Sequence, residues 1–283
     1  RGVDGAVPRL PLARLSDVIG MSLTRISSTC ADGVARVVLK RPEVRNAFDP
    51  TMIAELTDVF RGLSGRSDVR VLVLDGEGAV FSAGADLAWM KAAGALSELE
   101  ARADAARLSE LFSSLDATPF PVIAAVRGAA LGGGAGLVAT ADVVVAETGT
   151  KFGFTEVRLG IVPAVIAPYA VRAIGPRHAR RYFTTGEIFG AERAAEIGLV
   201  SEVVGAGLSA GRADEIVKAI LNVGPDACRV AKRLVRDVAG RAPADVADHC
   251  AATIATTRRT AEAQEGLAAF LEKRPARFAK GGA

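Results

Sequence analysis

Up to about residue 208, short apolar runs alternate with helical patterns; beyond it the periodicity is almost entirely helical. Ala35 to Lys40 reads as a strand, and Val69 to Leu74 as a second one, apolar enough to be buried on both faces. Arg41 to Phe48 reads as a loop, because Pro42 disfavours continuation of the strand. Asp49-Pro50 then opens a helix, the aspartate as N-cap and the proline in the first helical position, with Ile53, Leu56 and Phe60 on one face. Asp75-Gly76-Glu77-Gly78 is turn chemistry. Ser97 with Glu100 forms a capping-box pattern, and Leu108, Leu111, Phe112 and Leu115 supply the apolar face of the helix it starts. Further strands are expected at Val143 to Ala146 and Leu199 to Val204, helices at 176–185 and 191–197, and a loop over Lys151 to Pro168. Helical patterns then cover 211–222, 225–239, 243–258 and 260–272. Strand–helix alternation followed by a helical tail predicts an α/β fold with a C-terminal α-helical region.

One stretch organises this pattern. Pro121 to Gly136 reads P-V-I-A-A-V-R-G-A-A-L-G-G-G-A-G, an apolar run of strand length ending in three successive glycines. Glycines let the backbone approach a ligand closely, and a helix starting there presents N–H groups without partners in the chain. Such a unit can hold an anion or a carbonyl oxygen that becomes negative; the alternative is a tight turn with close strand–helix packing. A second run of small residues, Ser82-Ala83-Gly84-Ala85-Asp86, also follows a strand and a turn. N–H groups from the two loops could converge on one oxygen, and Glu156, in a Gly/Pro-rich loop, could move a proton beside it. The competing reading of Glu156 is a solvated or salt-bridged loop carboxylate.

Composition narrows the field. Lys+Arg 35 against Asp+Glu 32 is a mildly basic balance that suits a phosphate-bearing small molecule and argues only weakly for nucleic acid; no RNA-binding aromatic motif is present. Cys30, Cys228 and Cys250 are odd in number and far apart, which points away from a disulfide framework and toward a reducing, cytoplasmic compartment. With only His178 and His249, no metal-ligand cluster is expected. The Gly128 to Ala141 stretch is too short to span a membrane. Residues 1–20 read as an extension ahead of Met21, with a short transit segment as the alternative.

Taken together, R-P-E-V-R-N-A-F, F-S-A-G-A-D-L, P-V-I-A-A-V-x-G-x-A-L-G-G-G, F-G-F-T-E-V-x-L-G-I-V-P and E-G-L-A-A-F-L-E-K-R-P resemble the crotonase (enoyl-CoA hydratase/isomerase) family. They occur in the family's order over roughly 24–278, and their joint occurrence is specific where any single one is weak. The resemblance implies a crotonase-like ββα spiral over 21–208 carrying an acyl-CoA site, and a C-terminal helical trimerisation region over 209–283. It also implies homotrimers or dimers of trimers, and a coenzyme A thioester as substrate with no separate cofactor. The thioester oxygen would be held by the N–H groups of Ala85 and Gly133, and Glu156 matches the family's second catalytic glutamate. The first falls on Gly136, so that carboxylate is absent. Ala83, with Asp86 and Leu87 beside it, belongs to the turn that would accept the adenine and pantetheine edge, and Arg45 sits where the family contacts the pyrophosphate. Phe270 and Lys273 match residues that reach the CoA of a neighbouring subunit, and Ala164 matches a glycine whose backbone helps hold the reacting water.

With one carboxylate, two reactions fit: hydration of a 2-enoyl-CoA by Glu156-activated water, and Δ3/Δ2 isomerisation by proton shuttling. The stretch F-T-E-V-R-L-G-I-V-P-A-V-I-A-P-Y, with G-G-G-A-G-L-V-A, resembles the branch hydrating methylglutaconyl-type substrates. Arg158 and Arg172 are then candidates to meet the carboxylate those substrates carry. A non-catalytic acyl-CoA-binding protein is the alternative of another class.

Three other patterns are weighed. Gly207-Leu-Ser209-Ala-Gly211 matches G-x-S-x-G, but only His249 follows it, so Ser209 reads as a turn or cap residue. The Gly132–Gly136 run departs from the dinucleotide fingerprint, and His178 reads as part of a basic face. Trp89, Met90 and Tyr169 are candidates for an acyl pocket, with core packing as the alternative.

Overall fold

The computed structural model describes residues 13–14 and 22–280. The expectation for residues 1–20 therefore lies outside the described residues, apart from the two-residue strand β1, Ala13–Arg14, which pairs antiparallel with β2, Ile26–Ala31. A seven-stranded sheet runs in the order β1, β2, β3 (Val34–Leu39), β4 (Val71–Gly76), β5 (Val122–Val126), β7 (Val143–Glu147) and β10 (Glu202–Val204). From β3 to β10 every pairing is parallel. A second sheet joins β6 (Ala129–Leu131), β8 (Lys151–Gly153) and β9 (Ile188–Gly190). Single parallel bridges, Phe48 to Ala85 and Ser82 to Ala130, carry this second layer toward the N-terminal half.

The layers come from one repeated unit, a long buried strand, a short strand, then a helix. β3, Phe48 and α1 (Pro50–Ser64) form the first turn. β4, the Ser82–Ala85 segment and helices α2 (Leu87–Ala93) and α3 (Glu98–Asp116) form the second. β5, β6 and α4 (Gly133–Thr140) form the third, and β7, β8 and α5 (Ala167–Thr185) the fourth. α5 is broken at Gly175, whose φ of 73° no helix accepts, and Pro176 restarts it; the patterned 176–185 piece is its second half. After α6 (Ala191–Glu196), β10 closes the sheet.

Local chemistry explains the starts. Asp49 accepts the Met52 N–H at 2.8 Å with Pro50 in the first helical position, and Ser97 and Glu100 complete a reciprocal capping box. The main core, with Leu56, Phe60, Phe112, Phe120 and Phe152 among its members, lies between the helices and one face of the large sheet. On the other face, Val71, Val73, Ile123 and Ala125 pack against Ala213 and Val217 of α7 (Ser209–Leu221). Thus α7 packs as part of the core, although the helical tail was read as beginning there. α8 (Pro225–Val238), α9 (Pro243–Arg258) and α10 (Ala261–Leu271) follow, and Val246 and Ala269 are the only fully buried apolar residues among them. Arg229 holds α8 through the carbonyls of Ser67 and Val69, and Lys232 through Phe120 O and Asp142.

Candidate active site

A cavity of about 830 Å³ opens where the second and third turns of the spiral meet. Gly84 and Gly132 make that meeting close. A Cβ on Gly84 would lie 2.8 Å from Leu131 O and 3.5 Å from Gly132 Cα, and both glycines have positive φ (92° and 49°). No residue with a side chain fits either place without moving backbone. Ala85 follows the first glycine and Gly133 the second, and both border the cavity. Phe48 fixes the Ala83–Asp86 segment: its N–H donates to Gly84 O at 2.7 Å and its carbonyl accepts the Asp86 N–H at 2.8 Å. That bridge engages the residues on either side of Ala85, and the Ala85 N–H makes no hydrogen bond among the described residues. Gly133 is the first residue of α4, where an N–H has no acceptor within the helix. Its missing side chain leaves room for the Phe48 ring, 2.9 Å from where a Cβ would stand.

Ser82, fully buried, ties the two turns together. Its hydroxyl donates to Asn46 O and accepts from the Gly84 N–H, while its backbone pairs with Ala129 and Leu131. Asn46 is equally buried, and its amide donates to Glu77 O and Val80 O. Neither was singled out from the sequence; the signal of Ser82 is a polar side chain inside an otherwise apolar stretch, and Asn46, among charged neighbours, offers none.

Glu156 begins a 3-10 turn, Glu156–Leu159, directly after β8 and borders the same cavity. Its Oε1 lies 3.3 Å from the position a Cβ on Gly132 would take, so the carboxyl reaches the paired glycine turns. Oε2 is buried and has no hydrogen-bond partner. Desolvation pushes this carboxyl above the usual glutamate range, opposed in part by its own backbone N–H. A half-buried carboxylate with one oxygen buried and unpaired is costly to maintain, and that is the profile of a proton-transfer group.

The structure places the remaining candidates as follows. Arg45, Ala83, Leu87 and Ala164 border the cavity. Arg45 is exposed, with φ of 55°, and its carbonyl accepts the Ala83 N–H at 2.9 Å. Asp86 borders the cavity too, yet its carboxylate is spent locally: it caps α2 through the Ala88 and Trp89 N–H groups and lies 3.3 Å from Arg41 Nη2. The Ala164 N–H donates to Val162 O at 2.8 Å. Phe270, 82% exposed on α10, and Lys273 beyond it lie away from this chain's cavity wall.

The acyl-pocket candidates divide. Trp89 and Met90 border the cavity; Tyr169 does not, and its ring packs 5.9 Å from that of Phe112. Arg158 and Arg172 are also absent from the wall. Arg172 pairs with Asp116 at 2.5 Å and lies over the Tyr169 ring, and Arg158 packs beside Gly186. Arg45 is the sole basic side chain among the described residues bordering the cavity.

Position 136 is closed. A Cβ there would lie 2.4 Å from Ile166 Cγ2 and 2.9 Å from Phe112 Cε1. Apolar groups thus fill the space a second carboxylate would need, and Ile166 itself borders the cavity. Ser209 is excluded as a nucleophile: it is 1% exposed and its hydroxyl donates to Glu147 Oε1 at 2.7 Å. His249 pairs instead with Asp237 at 3.2 Å. Among the described residues no group of His, Cys, Asp and Glu could hold a metal ion, and no helix is long and apolar enough to cross a membrane.

Comparison with known proteins places this geometry. The sequence profile described as Enoyl-CoA hydratase/isomerase matches residues 29–281. The chain is 34% identical to a crotonyl-CoA hydratase of Syntrophomonas wolfei, with 87% of this chain and 94% of the relative covered. It is 32% identical to a 2,3-dehydroadipyl-CoA hydratase of Escherichia coli, with the same coverage of 87% and 94%. The fold superposes on the crystal structure of an enoyl-CoA hydratase from Shewanella pealeana with a TM-score of 0.88 at 37% identity, covering 94% of this chain and all of that one (100%).

Proposed function

Because the chain belongs to the enoyl-CoA hydratase/isomerase family and has its crotonase-like fold, we propose that it adds water to a 2-enoyl-CoA with Glu156 as its only catalytic carboxylate. The Ala85 and Gly133 N–H groups hold the thioester oxygen. Polarising that carbonyl makes C3 electrophilic. Glu156 takes a proton from water as its oxygen bonds to C3, and electrons move from the double bond onto the thioester oxygen, where the two N–H groups stabilise the enolate. The protonated Glu156 then returns a proton to C2, giving the 3-hydroxyacyl-CoA. One acid accounts for both transfers if H and OH add to the same face.

The observation that carries this reading is the Glu156 carboxyl, with Oε2 buried and unpaired and Oε1 against Gly132. Arg45 stands at the mouth for the pyrophosphate, and coenzyme A enters as part of the substrate, without a separate cofactor. Trp89, Met90 and Leu108 give the wall apolar surface, and about 830 Å³ is roomy enough for a branched chain. The methylglutaconyl-like reading of that chain asks for a basic partner to its distal carboxylate, and Arg158 and Arg172 are elsewhere. The apolar faces left open on the C-terminal helices, Val235, Phe270 and Leu271 among them, support a homotrimer or dimer of trimers. Three free cysteines fit a reducing, cytoplasmic setting.

Turnover of a 2-enoyl-CoA in ¹⁸O-water tests the reaction. Label at C3 of a 3-hydroxyacyl-CoA is expected. Conversion of a 3-enoyl-CoA to its 2-enoyl isomer, with no hydration of either, would establish the isomerase instead. Tight acyl-CoA binding with no turnover of any enoyl-CoA would make it a binding protein.

A further inference from the structure

Ala101, Asp104, Ala105 and Leu108 follow one another at helical spacing on α3, and all four border the cavity. Three are apolar. Asp104 is the exception, a carboxylate only 9% exposed, set in a wall that Trp89 and Met90 also line. Its Oδ1 accepts from Arg107 Nη2 at 2.7 Å. Arg107 lies one turn further on, its side chain 60% exposed and outside the cavity wall. Oδ2 makes no hydrogen bond among the described residues, and it is not sealed from solvent as Glu156 Oε2 is. Ala101 and Ala105, its neighbours along this face of the helix, have small side chains. Packing does not require a charge here, since Asp104 neither caps a helix nor holds another element in place.

Resting on the hydratase reading, we propose that Asp104 determines acyl specificity: Oδ2 accepts a hydrogen bond from a hydroxyl on the acyl chain and repels a chain that ends in a carboxylate. A carboxylate largely withdrawn from water makes a strong hydrogen bond with a donor that reaches it, and its repulsion of a second negative charge is poorly screened there. The two named relatives frame the choice, one a hydratase of uncharged crotonyl-CoA and the other of 2,3-dehydroadipyl-CoA, whose acyl chain ends in a carboxylate. With Arg45 the lone basic side chain of the wall, this cavity suits the uncharged class.

The test is calorimetric binding of three saturated acyl-CoA thioesters of equal length, ending in methyl, hydroxymethyl or carboxylate, to the wild-type protein, Asp104→Asn and Asp104→Leu. Wild type is expected to bind the hydroxylated chain about 10- to 100-fold more tightly than the carboxylated one. Asp104→Asn should shrink that ratio at least tenfold, and Asp104→Leu should favour the methyl-ended chain. The methyl-ended thioester also reports whether each variant is folded. A ratio unchanged in Asp104→Asn, equal or tighter wild-type binding of the carboxylated chain, or no binding of any thioester would overturn the proposal. Saturated thioesters do not react, so a failure of hydration leaves this ratio readable. Normal hydration with an unchanged ratio would sink the role of Asp104 alone.

Discussion

Two positions on successive turns of the spiral, 136 and 156, show opposite solutions to one problem. The resemblance of the sequence motifs implies a carboxylate at each. At 156 the chain keeps the acid and leaves it costly: half-buried, raised in pKa and without a partner for Oε2. At 136 it has glycine, and Ile166 and Phe112 fill the space. The lesson is that the missing acid is not a vacancy awaiting a side chain. Apolar packing closes position 136 itself to a carboxylate, so a second acid would have to come from elsewhere in the wall.

The largest expected effect comes from removing the remaining acid. Glu156→Gln should lower kcat about 10²- to 10⁴-fold while the Kd for a saturated acyl-CoA stays within about threefold. Unchanged turnover would erase the contrast between the two positions. Next is the pairing of the glycine turns. Gly84→Ala, forced to φ near 92° and against Leu131 O, should displace the Ala85 N–H and cost about 10²- to 10³-fold in kcat. A stopped-flow assay showing wild-type kcat would separate Ala85 from the chemistry.

Gly136→Glu should behave as overpacking plus a buried charge, destabilising by about 3 kcal/mol with no gain in hydration. Adding Ile166→Ala should restore part of that loss. Thermal melts and turnover on one preparation decide it: a stable single variant with faster hydration would show that position 136 was open after all.

The smallest effect is a pH dependence of stability. With its folded pKa raised, Glu156 binds a proton in the native state where the unfolded chain has released it. Wild-type stability should therefore fall as pH rises from the ordinary glutamate range through the raised native value. Glu156→Gln should flatten that slope and be slightly more stable at neutral pH. An identical slope in both proteins, from urea titrations across the interval, would mean the carboxyl is not desolvated.

What was legible in the sequence was mostly local. Asp49-Pro50 and Ser97 with Glu100 announce helix starts because their caps act within one turn. The Gly-rich loops, Glu156 and the Gly136 departure stood out through motif order. β2, β6, β8 and β9 did not, because short strands are defined by distant partners such as Ala129 with Lys151. α2 was missed for a related reason: Asp86 was read as part of the substrate turn, and its capping of α2 appears only once the helix is placed. The Phe48 ring beneath Gly133, the Ile166 plug at 136 and the outward turn of Arg158 and Arg172 are products of long-range packing. No spacing in the sequence encodes them.

The central claim is that the Ala85 and Gly133 N–H groups grip one thioester oxygen within reach of a lone acid. A crystal structure of the protein with a 3-hydroxyacyl-CoA bound measures it directly. The thioester oxygen should lie within about 3.2 Å of both amide nitrogens, and the 3-hydroxyl within hydrogen-bond reach of Glu156. An oxygen bound to only one of the amides, or a hydroxyl turned away from Glu156, would contradict the account.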